Sequence, residues 1–180
     1  MPNVQPKSAS THKSEQAHSE FSLGAEHVRN NHSTEISESD ARSFFKRFAQ
    51  VAISERKKFG VPSSILLATA FLNSHAGLND MAIGSNNFFL IRCSEEWEGD
   101  TYAADGLCIK KYESAWEGWR DFSIHLSGQT WFGALKKAAG KDWLKWSKGM
   151  QGKDVSNIQG YNQKMIEVIN YYRLDQFDKM

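Results

Sequence analysis

The sequence predicts an α+β domain, mostly α, with a small β-hairpin insertion between helices. Three observations carry this. Residues 37–74 hold apolar side chains at helical spacing. From Gly84 to Ser114 the character changes to aromatic and β-branched residues broken by Gly99 and Gly106. After Ser114 helical patterns return and continue almost to the end. No internal repeat is present.

The elements follow in order. Residues 1–36 are polar, rich in Ser, His, Glu and Asn and without period, and read as a disordered or loosely attached arm. "FSLGAEHV" within it is a weak candidate for a docking turn. The folded domain is expected over 37–180. Its first helix has Ser37 or Ser39 as cap, with Phe44, Phe45, Phe48, Val51 and Ala52 on one stripe. Gly60 stops it, and Pro62 suits the first turn of the next helix. That second helix, "PSSILLATAFLNS", is apolar almost all round, as expected of a central buried helix. Two or three short strands are expected in 84–114, with a hairpin near "AADG". Helices are expected in "AWEGWRDFSIHLSG", "WFGALKKAAG", "DWLKWSKGM" and "NQKMIEVINYYRL".

Composition narrows the function. The 180 residues carry a net charge of +1 and no extended basic run, so no nucleic-acid partner is expected. No apolar run approaches the length of a membrane span. The first twenty residues lack the apolar centre of a secretory signal, which leaves cytoplasmic residence or another export route open. Cys93 and Cys108 are too few for a zinc site, and no His pair stands at ligand spacing beside them. They are either one disulfide across a hairpin or two small buried residues. No metal and no cofactor is expected.

Several blocks, in order, resemble the glucosaminidase family of peptidoglycan hydrolases. They are "VPSSILLATAFLNSHAG", "NNFFLIRC", "WEGDTY", "CIKKYESAWEGWRDFSIHL" and "YNQKMIEVINYYRLDQFD". The family includes flagellar and autolysin enzymes of the mannosyl-glycoprotein endo-beta-N-acetylglucosaminidase type, and the chain is most similar to a short, Bacteroidetes-type form. The resemblance spans about residues 40–178. It implies a lysozyme-like fold, a peptidoglycan glycan strand or an envelope protein as partner, and a periplasmic or envelope-associated location.

One position departs from the family at the centre of its chemistry. The central helix of the family ends in Glu-Ser, and the Glu is the general acid. Here the matching residues are Asn73 and Ser74. An amide has no titratable proton near neutral pH, so it cannot protonate a leaving glycosidic oxygen. A second departure lies ahead of the last helix, where Val155 stands in place of a cleft tyrosine. Asp80, Glu95, Glu96 and Asp105 are the acids available as stand-ins, although Glu95 and Glu96, with Glu98, read most simply as a solvated turn. Asn73, His75, Asn86, Asn87, Trp97 and Tyr102 are the candidate glycan-binding residues. Trp116 and Trp119 lie at i, i+3, so at least one of them belongs to the core. The expected function is therefore a degenerate glucosaminidase-like domain that binds without cutting. The alternatives are an active hydrolase using displaced acids, and a structural module with an unused cleft.

Overall fold

The computed structural model describes residues 35–180. The arm expected over 1–36 and its "FSLGAEHV" segment therefore fall outside the described residues, apart from Glu35 and Ile36. Helix α1 spans Glu38–Phe59. Of the two candidate serines, Ser37 is its cap: the hydroxyl accepts from Asp40 N at 3.0 Å. Acids in the first turn and Arg56, Lys57 and Lys58 in the last suit the helix dipole. Gly60 ends the helix at φ 87°, where a side chain would be strained.

Helix α2, Ser63–Ser74, is the axle of the domain, with Asn73 its single residue that is not buried. Its own cap position is Pro62, which has no side chain able to accept a hydrogen bond. Asp178, at the far end of the chain, does this instead, accepting from Ser64 N at 2.9 Å and from Ser64 Oγ at 2.6 Å. A carboxylate at a helix N-terminus is favourable. Burial nevertheless raises the pKa of Asp178 above the ordinary range, against the opposing pull of Ser64 and Arg56.

Around α2 the core is largely aromatic, as the eleven Phe and six Trp suggest. Phe45 stacks on Phe71 at 4.9 Å, Phe48 on Trp119 at 5.3 Å and Phe89 on Phe122 at 3.8 Å. Helix α3 (Asp80–Ser85) is followed by strands β1 (Thr101–Ala104) and β2 (Leu107–Lys110), then α4 (Ala115–Ser127), α5 (Phe132–Ala139), α6 (Trp143–Gly149) and α7 (Tyr161–Tyr172). A 3₁₀ helix, Leu174–Lys179, packs back on α1 and α2. Trp119 is buried in α4 and Trp116 is half exposed on it. Arg120 of α4 grips the fully buried Glu55 of α1 through both carboxylate oxygens at 2.7–3.0 Å, tying the two helices together.

The insertion is a two-stranded antiparallel hairpin with Tyr102 opposite Ile109. Asp105 and Gly106 both have positive φ, 51° and 75°, the pairing that a tight two-residue hairpin turn requires. Cys93 and Cys108 are joined by a disulfide. The bridge and an isolated pairing of Arg92 with Ile109 fasten the incoming loop to β2. Two strands lie within 84–114, as expected, with the hairpin turn in "AADG"; the first residues of that stretch are not strand, because Gly84 and Ser85 end α3 and Phe88 and Phe89 are buried in the core.

Candidate functional site

The site is built where α2 runs out. Asn73 and Ser74 end the helix, and His75, Ala76 and Gly77 follow with φ of 52°, 56° and 76°. Two successive non-glycine residues in the left-handed region cost roughly 1–2 kcal/mol each. The turn is held by Ala76 N donating to Phe71 O at 2.9 Å and Gly77 N donating to Ser74 Oγ at 2.9 Å. Ser74 is thus directed into the fold, and Asn73 is left as the partly exposed polar group at the helix end.

Asn73 is clasped from across the chain. Its Oδ1 accepts from the Ser156 hydroxyl at 2.8 Å, and that hydroxyl in turn accepts from Ile158 N at 3.3 Å. The Asn73 Nδ2 is buried with no partner. Exchanging the two ends of the amide would move the vacancy to the oxygen, so one polar atom stays unmatched in either orientation. One turn earlier on the same face of α2, the buried Thr69 hydroxyl donates to Ile65 O, which leaves Tyr161 as donor in the 2.6 Å contact between them. Burial raises the pKa of Tyr161. The segment from Val155 to Tyr161 therefore fixes itself to α2 at two points four residues apart. Val155 itself packs at the edge of the core.

The predicted site residues do not all behave as binding groups. Asn87 is fully buried, donating to Ile91 O and Lys110 O and accepting from Ile91 N. Asn86 is the left-handed cap of α3 and donates to Tyr112 O and Glu113 O. Both asparagines stitch the loop before the hairpin to the strand beyond it. Both amides serve the fold, with Asn87 fully buried and Asn86 partly exposed. Trp97 donates its ring N–H to Asp100 O at 2.9 Å, lies against Gly99, and carries Lys110 Nζ 4.4 Å from its ring centre. The Tyr102 ring rests on Gly84, docking the hairpin on α3. His75 is the partly exposed residue that caps α2 at its C-terminal end.

The four candidate stand-in acids are all exposed. Asp80 lies in the first turn of α3, Glu95 and Glu96 in a surface turn, and Asp105 at the hairpin tip. Among the described residues none of the four has a hydrogen-bond or ion-pair partner that would fix its direction. The more buried acids are committed elsewhere: Glu55 to Arg120, Asp178 to Ser64, and Asp121 to Lys110 and Tyr112 at 3.0 and 2.6 Å. Hydrogen bonding to Asp121 adds to burial in raising the pKa of Tyr112. Among the described residues, no group of three His, Cys, Asp or Glu side chains is poised for a metal ion.

A cavity of about 590 Å³ lies elsewhere, lined by Arg56, Lys141, Trp143, Asp175, Asp178, Lys179 and Met180. It adjoins the N-terminal end of α2, where Asp178 meets Ser64, about 14 Å from Asn73 by helical rise.

The family model for glucosaminidase, described as mannosyl-glycoprotein endo-beta-N-acetylglucosaminidase, matches residues 49–174. Among solved structures, the catalytic domain of the autolysin Auto from Listeria monocytogenes is 21% identical, with a TM-score of 0.63 over 81% of this chain and 91% of that one. The glycoside hydrolase domain of FlgJ from Salmonella typhimurium is 20% identical, with a TM-score of 0.62 over 74% and 88%. A peptidoglycan hydrolase from Sphingomonas sp. A1 is 21% identical, with a TM-score of 0.62 over 76% and 92%. No curated protein matches the chain. The fold is lysozyme-like, and the chain belongs to the glucosaminidase family.

Proposed function

We propose that this domain binds a peptidoglycan glycan strand at the end of α2 without cleaving it. The observation that carries the reading is Asn73. It stands at the helix end where the family resemblance expects a glutamic acid, and its oxygen is held by Ser156 at 2.8 Å. A glycosidase needs a carboxylic acid positioned to protonate the leaving oxygen, and usually a second carboxylate. Asn73 has no such proton, and Asp80, Glu95, Glu96 and Asp105 are exposed and unanchored. Loss of a general acid alone typically costs 10²–10⁴-fold in rate, on the order of magnitude seen across enzymes. The helix end is polar but committed: the Asn73 oxygen is held by Ser156 and its nitrogen is buried, so a sugar would meet this amide only after the side chain turns outward. The Cys93–Cys108 bridge supports an oxidising, envelope-side compartment.

The test is co-sedimentation with insoluble peptidoglycan. Wild type is expected in the pellet with no soluble muropeptides released. Muropeptides from wild type would restore the hydrolase reading and turn attention to Asp80, Glu95, Glu96 and Asp105. Protein left in the supernatant would reject glycan binding and favour an envelope protein as partner.

A further inference from the structure

The net charge of +1 conceals two opposed regions. Residues 93–108 hold five acids (Glu95, Glu96, Glu98, Asp100 and Asp105) and no Lys or Arg. Residues 132–153 hold six lysines (Lys136, Lys137, Lys141, Lys145, Lys148 and Lys153) and one acid, Asp142. A surface serving only solubility intersperses the two signs. Arg92, Lys110 and Lys111 flank the acids on the hairpin, so the excess of one sign is carried by the α5–α6 lysines.

Most of these lysines form no ion pair. Among the described residues, Lys136, Lys137, Lys141, Lys148 and Lys153 have no carboxylate within 4.0 Å. Asp142 is already the cap of α6, accepting from Leu144 N and Lys145 N at 3.0 and 3.1 Å. Leu144, Lys145 and Lys148 recur at i, i+1 and i+4 on the exposed side of α6, and Lys141 is exposed in the turn just before its cap. The opposite side of that helix, with Trp146, Ser147 and Met150, is buried. Lys136 lies against Gly60, which sets the last turn of α1, carrying Lys57 and Lys58, beside α5. Lys141 stands in the wall of the cavity remote from Asn73.

We propose that the α5–α6 face docks the domain on an anionic lipid surface. Charge alone would suit any polyanion, but Leu144 decides between them. It is exposed, at 37%, in the middle of the lysines. A phosphate chain offers nothing to a leucine, whereas the boundary between headgroups and acyl chains does, with lysines reaching the headgroups around it. No helix among the described residues is long and apolar enough to cross a membrane, so the attachment is peripheral.

Vesicle flotation tests this with the full chain. Wild type is expected to float with phosphatidylcholine vesicles containing phosphatidylglycerol, but not with phosphatidylcholine alone, and to be released by salt. The triple variant Lys141→Gln, Lys145→Gln, Lys148→Gln should bind about a hundredfold more weakly while melting like wild type. Leu144→Gln should weaken vesicle binding and leave binding to soluble polyphosphate unchanged. Failure of wild type to float, or flotation indifferent to the lysines, would overturn the proposal. Equal vesicle binding by Leu144→Gln would also overturn it, and would mark the face as a reader of soluble polyanions.

Discussion

Ser156 holds the residue on which the proposed non-cleaving role rests. Its partner Asn73 is 83 positions away in the chain, and nothing in the local sequence announces the contact. Counting back from Tyr161 points to Val155 as an expected departure from the family, one residue short of the side chain that meets Asn73. Asn73 is legible because a long apolar helix delivers it and the residue type is chemically wrong for an acid. Asn86 and Asn87 are legible as conspicuous polar residues, but not as backbone clasps, since their partners come from distant strands and loops. Ser156→Ala is expected to cost about 0.5–1.5 kcal/mol in chemical denaturation, the usual net value of one hydrogen bond. Asn73→Leu should cost no more, because it also removes the unmatched amide nitrogen. The double variant should be less destabilised than the two singles summed, as expected for side chains in direct contact.

At the scale of elements, α1, α2 and α4–α7 are readable from period and caps. Helix α3 is not, because six residues are too few to display a helical period. The missing cap of α2 is supplied by Asp178 from a 3₁₀ helix that the sequence pattern does not reveal. Asp178→Ala should lower stability by about 1 kcal/mol, the typical value of a cap. Its pH behaviour has a definite sign. The pKa of Asp178 is raised in the folded state, so the native protein holds this proton more tightly than the unfolded chain does. Its contribution is fully present below the ordinary carboxylate range and is lost as pH rises through the raised folded value. Asp178→Asn should flatten that part of the stability–pH profile, measured by thermal melting across mildly acidic pH. For the hairpin, the Cys93–Cys108 crosslink closes a short loop and is worth about 3 kcal/mol on the chain-entropy estimate. Reductant should lower the melting temperature of wild type and leave a Cys93→Ala, Cys108→Ala double variant unmoved.

On the scale of the molecule, the helices meet around α2, and the fully buried Glu55, paired with Arg120, joins α1 to α4. Arg120→Ala would strand Glu55 without its partner, and a loss of about 3–5 kcal/mol is expected in urea denaturation. The fold is that of the glucosaminidase family, and its central helix ends in an amide clasped by a hydroxyl. The most direct measurement is release of soluble muropeptides from purified peptidoglycan by wild type, with Asn73→Glu run alongside. Wild type is expected to release none while remaining bound to the polymer, and cleavage confined to Asn73→Glu would locate the defect at that residue. Sustained release by wild type would contradict the non-cleaving role.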